Sequence, residues 1–450
     1  MRMPLPETWP DAGKLLLALA ALLVAASFAL ALPGCSGDDE SNSEEPVVLT
    51  YQDWRTPWFA PMAHEMLEQF QATNPNIRVF YNPDPKGVAK AMLEEMAAGT
   101  APDVFQGCCT YFPIWAQEGY VLDLRPFIER DLDAGVLSDW DRAQYEAFVT
   151  ADGAQYGVPK YHGALALYYN KDLFDAYGVA YPDDRWTQDN YLNAMRQLTL
   201  DTDTDGATDV WGGMIDVSWD RIQVHVNAWG GNFVDPSDSS SCAMDDPPAL
   251  AALEWLRARM WDDKVMATFL DVQNVGTRDV FIAGKVATVE DGSWALKDIL
   301  ANAPFRVGVA PLPTGPAGRV TLATTDGFGI YAGTQHPEEA WELVKFLISD
   351  EYGLAMARAN FLQPAKASLV DDWANMIREE FPDAAAEVDL AAFADGHLNG
   401  YSVTAEVFSN MADAKTIAYA AWDSILTLGQ GSVDQMEDVC AQIEAAQPSP

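Results

Sequence analysis

The chain has 450 residues, 49% hydrophobic and 21% charged, a balance that excludes extended disorder, collagen-like repeats and long coiled coils and gives room for two to three compact domains. Lys and Arg total 27 against 67 Asp and Glu, for a formal net charge of -40. With no basic footprint to displace counterions, a nucleic-acid partner is excluded, and anionic membranes and ligands are repelled at long range.

Residues Leu15–Leu32 form an uncharged apolar run preceded by Lys14 and ended by Pro33, Gly34 and Cys35. The run is long enough for a helix that just spans a bilayer, so an uncleaved anchor competes with an export signal. The residues after the run favour the signal. Leu32-Pro33-Gly34-Cys35 is similar to a bacterial lipobox, with Pro33 as a departure, and places lipidation at Cys35. Residues 36–46 are polar and acidic, suited to a tether. Residues 1–35 therefore read as a lipoprotein signal peptide, and a lipid anchor holds the mature chain outside the cytoplasm.

From Pro46 the pattern alternates. Val47–Tyr51, Ile77–Tyr81 and Asp103–Phe105 read as strands, while Met62, Met66, Leu67 and Phe70, then Val88, Met92, Leu93 and Met96, recur at helical spacing. Such βαβ units build a parallel sheet whose ligands sit at the carboxyl ends of the strands, here the loops 52–58 and 106–113. Further strands are expected at Ala164–Tyr169, Val286–Val289, Arg306–Ala310 and Gly327–Tyr331. Helices are expected from Pro247 and from Pro337, the latter with Glu338 and Glu339 at its start and Lys345 near its end.

Eight segments in order carry a family resemblance: AAGTAPDVF (97–105), GYVLDLRPF (119–127), YGVP (156–159) with ALYYNKDL (166–173), WGGN (229–232), FIAGK (281–285), DGSW (291–294), VAPLPTGPAGR (309–319) and PEEAWELVKFL (337–347). Together they resemble the extracellular solute-binding proteins of carbohydrate ABC transporters. The resemblance implies an α/β, two-lobed periplasmic-binding-protein-like clamp of type II, with a sugar in the cleft and transporter permease subunits as partners. It implies an N-terminal lobe of 47–161 and 311–350 and a C-terminal lobe of 162–310 and 351–445. The crossings then fall near Tyr161–Gly163, Gly308–Pro311 and Asp350–Gly353. A monomer is expected, and a hinge closes it.

A sugar offers hydroxyls and apolar C–H faces, so its site needs aromatic platforms and planar polar groups. Candidates in the cleft loops are Asp53 and Trp54 after the first strand, Tyr111 after the third, Trp219 and Asp220 before WGGN, and Asp326 in TTDGF. The family resemblance adds Trp294, at a position where a sugar-stacking aromatic is common. Trp115, Trp211 and Trp255 read as core. His162 and Arg221 read as hinge or surface residues, and the remaining histidines are scattered. No catalytic motif is present, so the chain reads as a binding protein and not an enzyme, and no cofactor is required. The alternatives are a polyamine or metal-ion binder of the same fold, to which the acidic surface points, and a carbohydrate-active hydrolase working through a carboxylate pair.

Residues 201–209 read DTDTDGATD, and Asp201, Asp203, Asp205 and Asp209 fit positions 1, 3, 5 and 9 of a calcium loop. Gly212 stands where the bidentate Glu belongs, so a structural calcium would need another ligand, and the competing reading is a capped, solvated turn. Besides Cys35 the cysteines are Cys108, Cys109, Cys242 and Cys440. Their spacing matches no zinc pattern, and three outcomes stay open for Cys108 and Cys109: free thiols, a bond to a distant Cys, or a bond to each other.

Overall fold

The computed structural model describes residues 45–150 and 152–447, and Pro46 onward forms a compact unit. The expected signal peptide, Cys35 and all but the end of the tether lie outside the described residues. Among the described residues no helix is long and apolar enough to cross a membrane.

The expected alternation is present. Strand β1 (Val47–Asp53) leads to helix α1 (Phe59–Thr73), β2 (Ile77–Pro83), α2 (Val88–Ala98) and β3 (Val104–Gly107). Helix α1 buries Met62, Ala63, Met66, Leu67 and Phe70, a stripe at three- and four-residue spacing that lays it on the sheet. After β4 (Val158–Pro159) come β5 (Leu165–Asn170), β6 (Gly213–Met214), a hairpin of β7 (Val234–Asp235) and β8 (Asp238–Cys242), β9 (Met266–Ala267), β10 (Thr288–Gly292) and β11 (Val307–Ala310). The last strands are β12 (Thr321–Leu322), β13 (Gly327–Ile330) and β14 (Ser402–Val403).

Two five-stranded sheets result, ordered β2-β1-β3-β13-β4 and β11-β5-β10-β6-β9. In the first, β1 runs parallel to β2 and β3, as βαβ units require, and β13 enters antiparallel between β3 and β4. The second is mixed, with β5 antiparallel to both β10 and β11. Each sheet carries its own core. Leu49, Phe59, Phe70, Phe328, Trp341 and Tyr352 belong to the first lobe; Leu165, Tyr191, Ile222, Leu253 and Trp422 belong to the second.

Three chain segments lie side by side where the lobes meet. Tyr161 bridges Pro364, the His162 amide donates to the Gln363 carbonyl (2.9 Å), the Lys160 amide to that of Asp326 (3.0 Å), and the Thr324 amide to that of Gly163 (3.0 Å). Residues 160–163 thus run beside 324–326 and 363–364, and the second and third of these segments differ from the expected crossings. Leu312 and Leu322 pack in the second lobe and β12 pairs with β14, so the chain returns near residues 323–326, not at Gly308–Pro311. Helix Asp350–Asn360 sends Tyr352 and Met356 into the first core, which moves the third crossing from Asp350–Gly353 to about residues 361–364. The buried side chains, not the Gly and Pro residues, decide which lobe a segment joins. Gly163 is required here. A Cβ on it would stand 2.6 Å from Thr324 Cγ2 and 2.9 Å from Trp294 Cζ3, closer than packed atoms allow.

Candidate ligand site between the lobes

A cavity of about 410 Å³ opens between the two sheets. Its wall is contributed by chain segments that follow strand ends: Trp54, Thr56 and Trp58 after β1, Cys108 and Cys109 after β3, and Trp294 after β10. Tyr161, Thr324 and Asp326 reach it from the crossings, and Asp220 and Arg221 from the first turn of helix Trp219–Ala228. Strand termini point into the cleft because each strand must turn there into a connecting segment, which leaves side chains without sheet partners.

The aromatic part is braced from behind. Trp54 packs edge-on against Trp58, Phe59 and Tyr161, with ring centroids 5.5–5.9 Å apart. The Lys160 ammonium lies 3.2 Å from the centroid of Trp54. Trp294 sits in the short helical turn Ser293–Ala295, packs against the cores of both lobes, and faces the guanidinium of Arg221 at 5.8 Å.

The polar part is held in place but incompletely paired. Asp291 accepts from Arg221 (3.2 Å) and from Arg278 (3.0 Å), fixing both guanidinium groups at the cavity edge. Asp326 accepts from Gln106 Nε2 (3.1 Å). Burial pushes the Asp326 carboxyl up to about 7, against the pull of Lys160. Asp220 is likewise raised by burial, with Arg221 opposing. Thr56 Oγ1, Asp220 Oδ1 and Arg221 Nε are buried with no hydrogen-bond partner among the described residues, and all three belong to cavity-lining residues. Buried polar groups are ordinarily paired, so these atoms are the ones in the cavity wall that the described protein residues leave unsatisfied.

Of the sequence candidates, Trp54, Asp220, Trp294 and Asp326 come together here. Three do not. Asp53 is fully buried behind the wall, where it pairs with Lys160 and accepts from the Tyr51 hydroxyl. Trp219 is a core residue: its indole donates to the Glu406 carbonyl (3.1 Å) and packs on Phe233, Phe408 and Trp422. Tyr111 packs at a tilt on Trp115 (ring centroids 4.8 Å apart) in the helix after the cavity-lining turn. Arg278, Thr324, Asn360 and Leu362 were not singled out from sequence. Arg278 carries no local signal, and the other three depend on where the crossings fall.

Cys108 and Cys109 form a vicinal disulfide whose Cα atoms are 3.7 Å apart, and Cys242 pairs with Cys440. In the acidic turn, Asp201, Asp203 and Asp209 bring carboxylate oxygens within 4.8 Å of one another, and Asp205 is not part of the group. Asp201 accepts from the Gly206 amide, Asp203 from that of Asp205, and Asp205 from that of Ala207. The opposite sides of the cleft touch where Lys415 Nζ donates to Thr110 Oγ1 (2.8 Å) and Gln117 Nε2 to the Phe408 carbonyl (3.3 Å).

Comparison with known proteins agrees with this geometry. The sequence profile described as bacterial extracellular solute-binding protein matches residues 56–354. The maltodextrin-binding protein MdxE of Bacillus subtilis is 24% identical over 73% of this chain and 76% of its own length. The diacetylchitobiose binding protein DasA of Streptomyces coelicolor is 23% identical over 78% and 82%. Among solved structures, the substrate-binding protein Lmo0181 of Listeria monocytogenes in complex with cycloalternan superposes with a TM-score of 0.77 at 23% identity, covering 89% of this chain and 98% of that one.

Proposed function

Because the chain belongs to the bacterial extracellular solute-binding proteins, we propose that its interlobe cavity takes a sugar or oligosaccharide outside the cytoplasm and delivers it to the permease of an ABC transporter. One observation carries the ligand class. Aromatic faces from both lobes line the same space as the unpaired Thr56 Oγ1, Asp220 Oδ1 and Arg221 Nε, the combination a polyol requires. The charges oppose the alternatives. Arg221 and Arg278 at the wall disfavour a polyamine or metal ion, while Asp220 and Asp326 disfavour an anion.

The relatives named for maltodextrin and diacetylchitobiose supply the first panel to test. Calorimetry with maltodextrins and chitooligosaccharides, with the sugars re-examined chromatographically afterwards, should show saturable binding and unaltered sugar. Hydrolysed sugar would identify a carbohydrate-active enzyme, and heat only with spermidine would identify a polyamine binder. Ligand favours the closed arrangement because only there do both lobes reach it, so small-angle scattering should show a smaller radius of gyration at saturation.

The remaining expectations belong to the same reading. The chain acts as a monomer, with Cys35 acylated so that the acidic tether spaces the binding unit from the membrane. Calcium holds the 201–209 turn through Asp201, Asp203 and Asp209, supported by their convergence. A rise in melting temperature with calcium and not magnesium would support that assignment; no rise with either would remove it.

A further inference from the structure

A second cluster of ligating side chains lies at the crossings, outside the cavity. Asp141 caps helix Arg142–Glu146 in the first lobe, its Oδ1 accepting the Gln144 amide (2.8 Å). Its Oδ2 faces three groups. His397 Nδ1, from helix Ala391–Asn399 of the second lobe, is 2.8 Å away, Ser402 Oγ 3.0 Å, and His162 Nε2 3.7 Å. One donor from each of Asp141, His162 and His397 falls within 4.8 Å of the others.

We propose that Asp141, His162 and His397 form a binding site for a divalent zinc-class metal ion that ties the two lobes together at the crossings. Two imidazoles and a carboxylate are a zinc donor set, and tetrahedral geometry at a bond length near 2.05 Å separates ligand atoms by about 3.3 Å. The observed 2.8 and 3.7 Å bracket that value, so shifts of about half an ångström bring both pairs to it.

The pairing pattern points the same way. His162 is buried, and its Nε2, 3.7 Å from Asp141 Oδ2, has no hydrogen-bond partner among the described residues. Its Nδ1 lies 3.4 Å from Gln363 Nε2, while Gln363 Oε1 is also buried and unpaired. Turning the Gln363 amide over sets Oε1 against Nδ1–H, which places the proton there and leaves the Nε2 lone pair for a cation. This is the outer contact that metal-bound histidines ordinarily make. Ser402 or a water completes the coordination.

The test uses the purified protein, stripped with EDTA and titrated with zinc chloride by calorimetry in excess calcium, so that the acidic turn and the general surface charge do not compete. Cobalt(II) serves as a spectroscopic probe. Expected are one equivalent of zinc, tetrahedral cobalt absorption bands, and binding at least tenfold weaker in His397→Ala and in His162→Gln with Asp203→Asn unaffected. Circular dichroism shows whether the variants fold, and His397, at the edge of the cluster, is the safer of the two. No stoichiometric binding, or zinc binding that survives both histidine substitutions, overturns the site.

Discussion

Lys160 and Asp53 form an ion pair sealed from solvent on both sides, and the same ammonium lies beneath the indole of Trp54. Burial pulls Lys160 down, and Asp53 opposes that pull. The pair therefore links the end of β1 to the first crossing and holds a cavity aromatic from behind.

Removing one member leaves the other charged and buried. Lys160→Met should cost about 3–5 kcal/mol in urea unfolding, and Asp53→Asn combined with Lys160→Met distinctly less than the sum of the single losses. Additive losses would show that the two charges do not depend on each other. Ligand affinity should fall in Lys160→Met as Trp54 loses its support.

Trp294 and Trp58 separate binding from packing. Trp294→Ala should weaken sugar binding by about 1.5–3 kcal/mol. It should also lower unliganded stability, since the ring packs against the cores of both lobes. Among the described residues Trp58 packs only on the core of the first lobe, so Trp58→Ala should lose affinity with a smaller stability change. Calorimetry and thermal melts on both variants decide, and unchanged affinity in the two would move the ligand elsewhere.

Asp326 gives binding a pH dependence. Its carboxyl, raised to about 7 by burial, is protonated in the empty cavity below that value and ionised above it. Sugar hydroxyls that donate to it favour the ionised form and lower its pKa in the complex. Affinity should therefore rise with pH between one unit below and one unit above 7, and Asp326→Asn should flatten the profile. Unliganded stability runs the other way. The folded pKa exceeds the unfolded value near 3.9, so the folded state binds more protons between the two, and stability falls as pH rises through that window. A wild-type affinity profile as flat as that of Asp326→Asn would place the carboxylate out of the ligand's reach.

The two disulfides should respond differently. Cys108–Cys109 lines the cavity, so Cys108→Ala with Cys109→Ala should weaken sugar binding about tenfold while shifting the melting temperature little. Cys242–Cys440 closes a span of 198 residues in the second lobe. Its removal should cost about 5 kcal/mol on loop-entropy grounds and leave affinity intact in the folded protein. The reverse pattern would contradict the placement of Cys108 and Cys109 at the cavity.

Much of the lobe architecture is legible in sequence because it rests on local periodicity. Met62, Met66 and Phe70 announce α1, and Val47–Tyr51 and Ile77–Tyr81 announce the parallel pair. The site is only half legible. Trp54 and Trp294 follow strands and face the cavity, but Asp53, one residue from Trp54, points the other way because side chains alternate along a strand. Trp219 and Asp220 divide similarly at a helix start. His162, His397 and Asp141 are separated by up to 256 residues and meet only through the crossings, so no spacing rule could have joined them.

The route of the chain also orders its assembly. Strand β13, between β3 and β4, is supplied by residues 327–330, so the first sheet stays incomplete until most of an exported chain has emerged. Cys242 waits longer, for a partner near the far end. Four cysteines allow three pairings. Adjacent Cys108 and Cys109 can close on each other in an oxidising compartment before Cys242 appears. Closure of that bond takes both thiols out of circulation, and Cys242 and Cys440 are the two that remain besides Cys35. A closed vicinal bond thus narrows the pairings left to oxidative folding, and it does so in the same turn that lines the cavity.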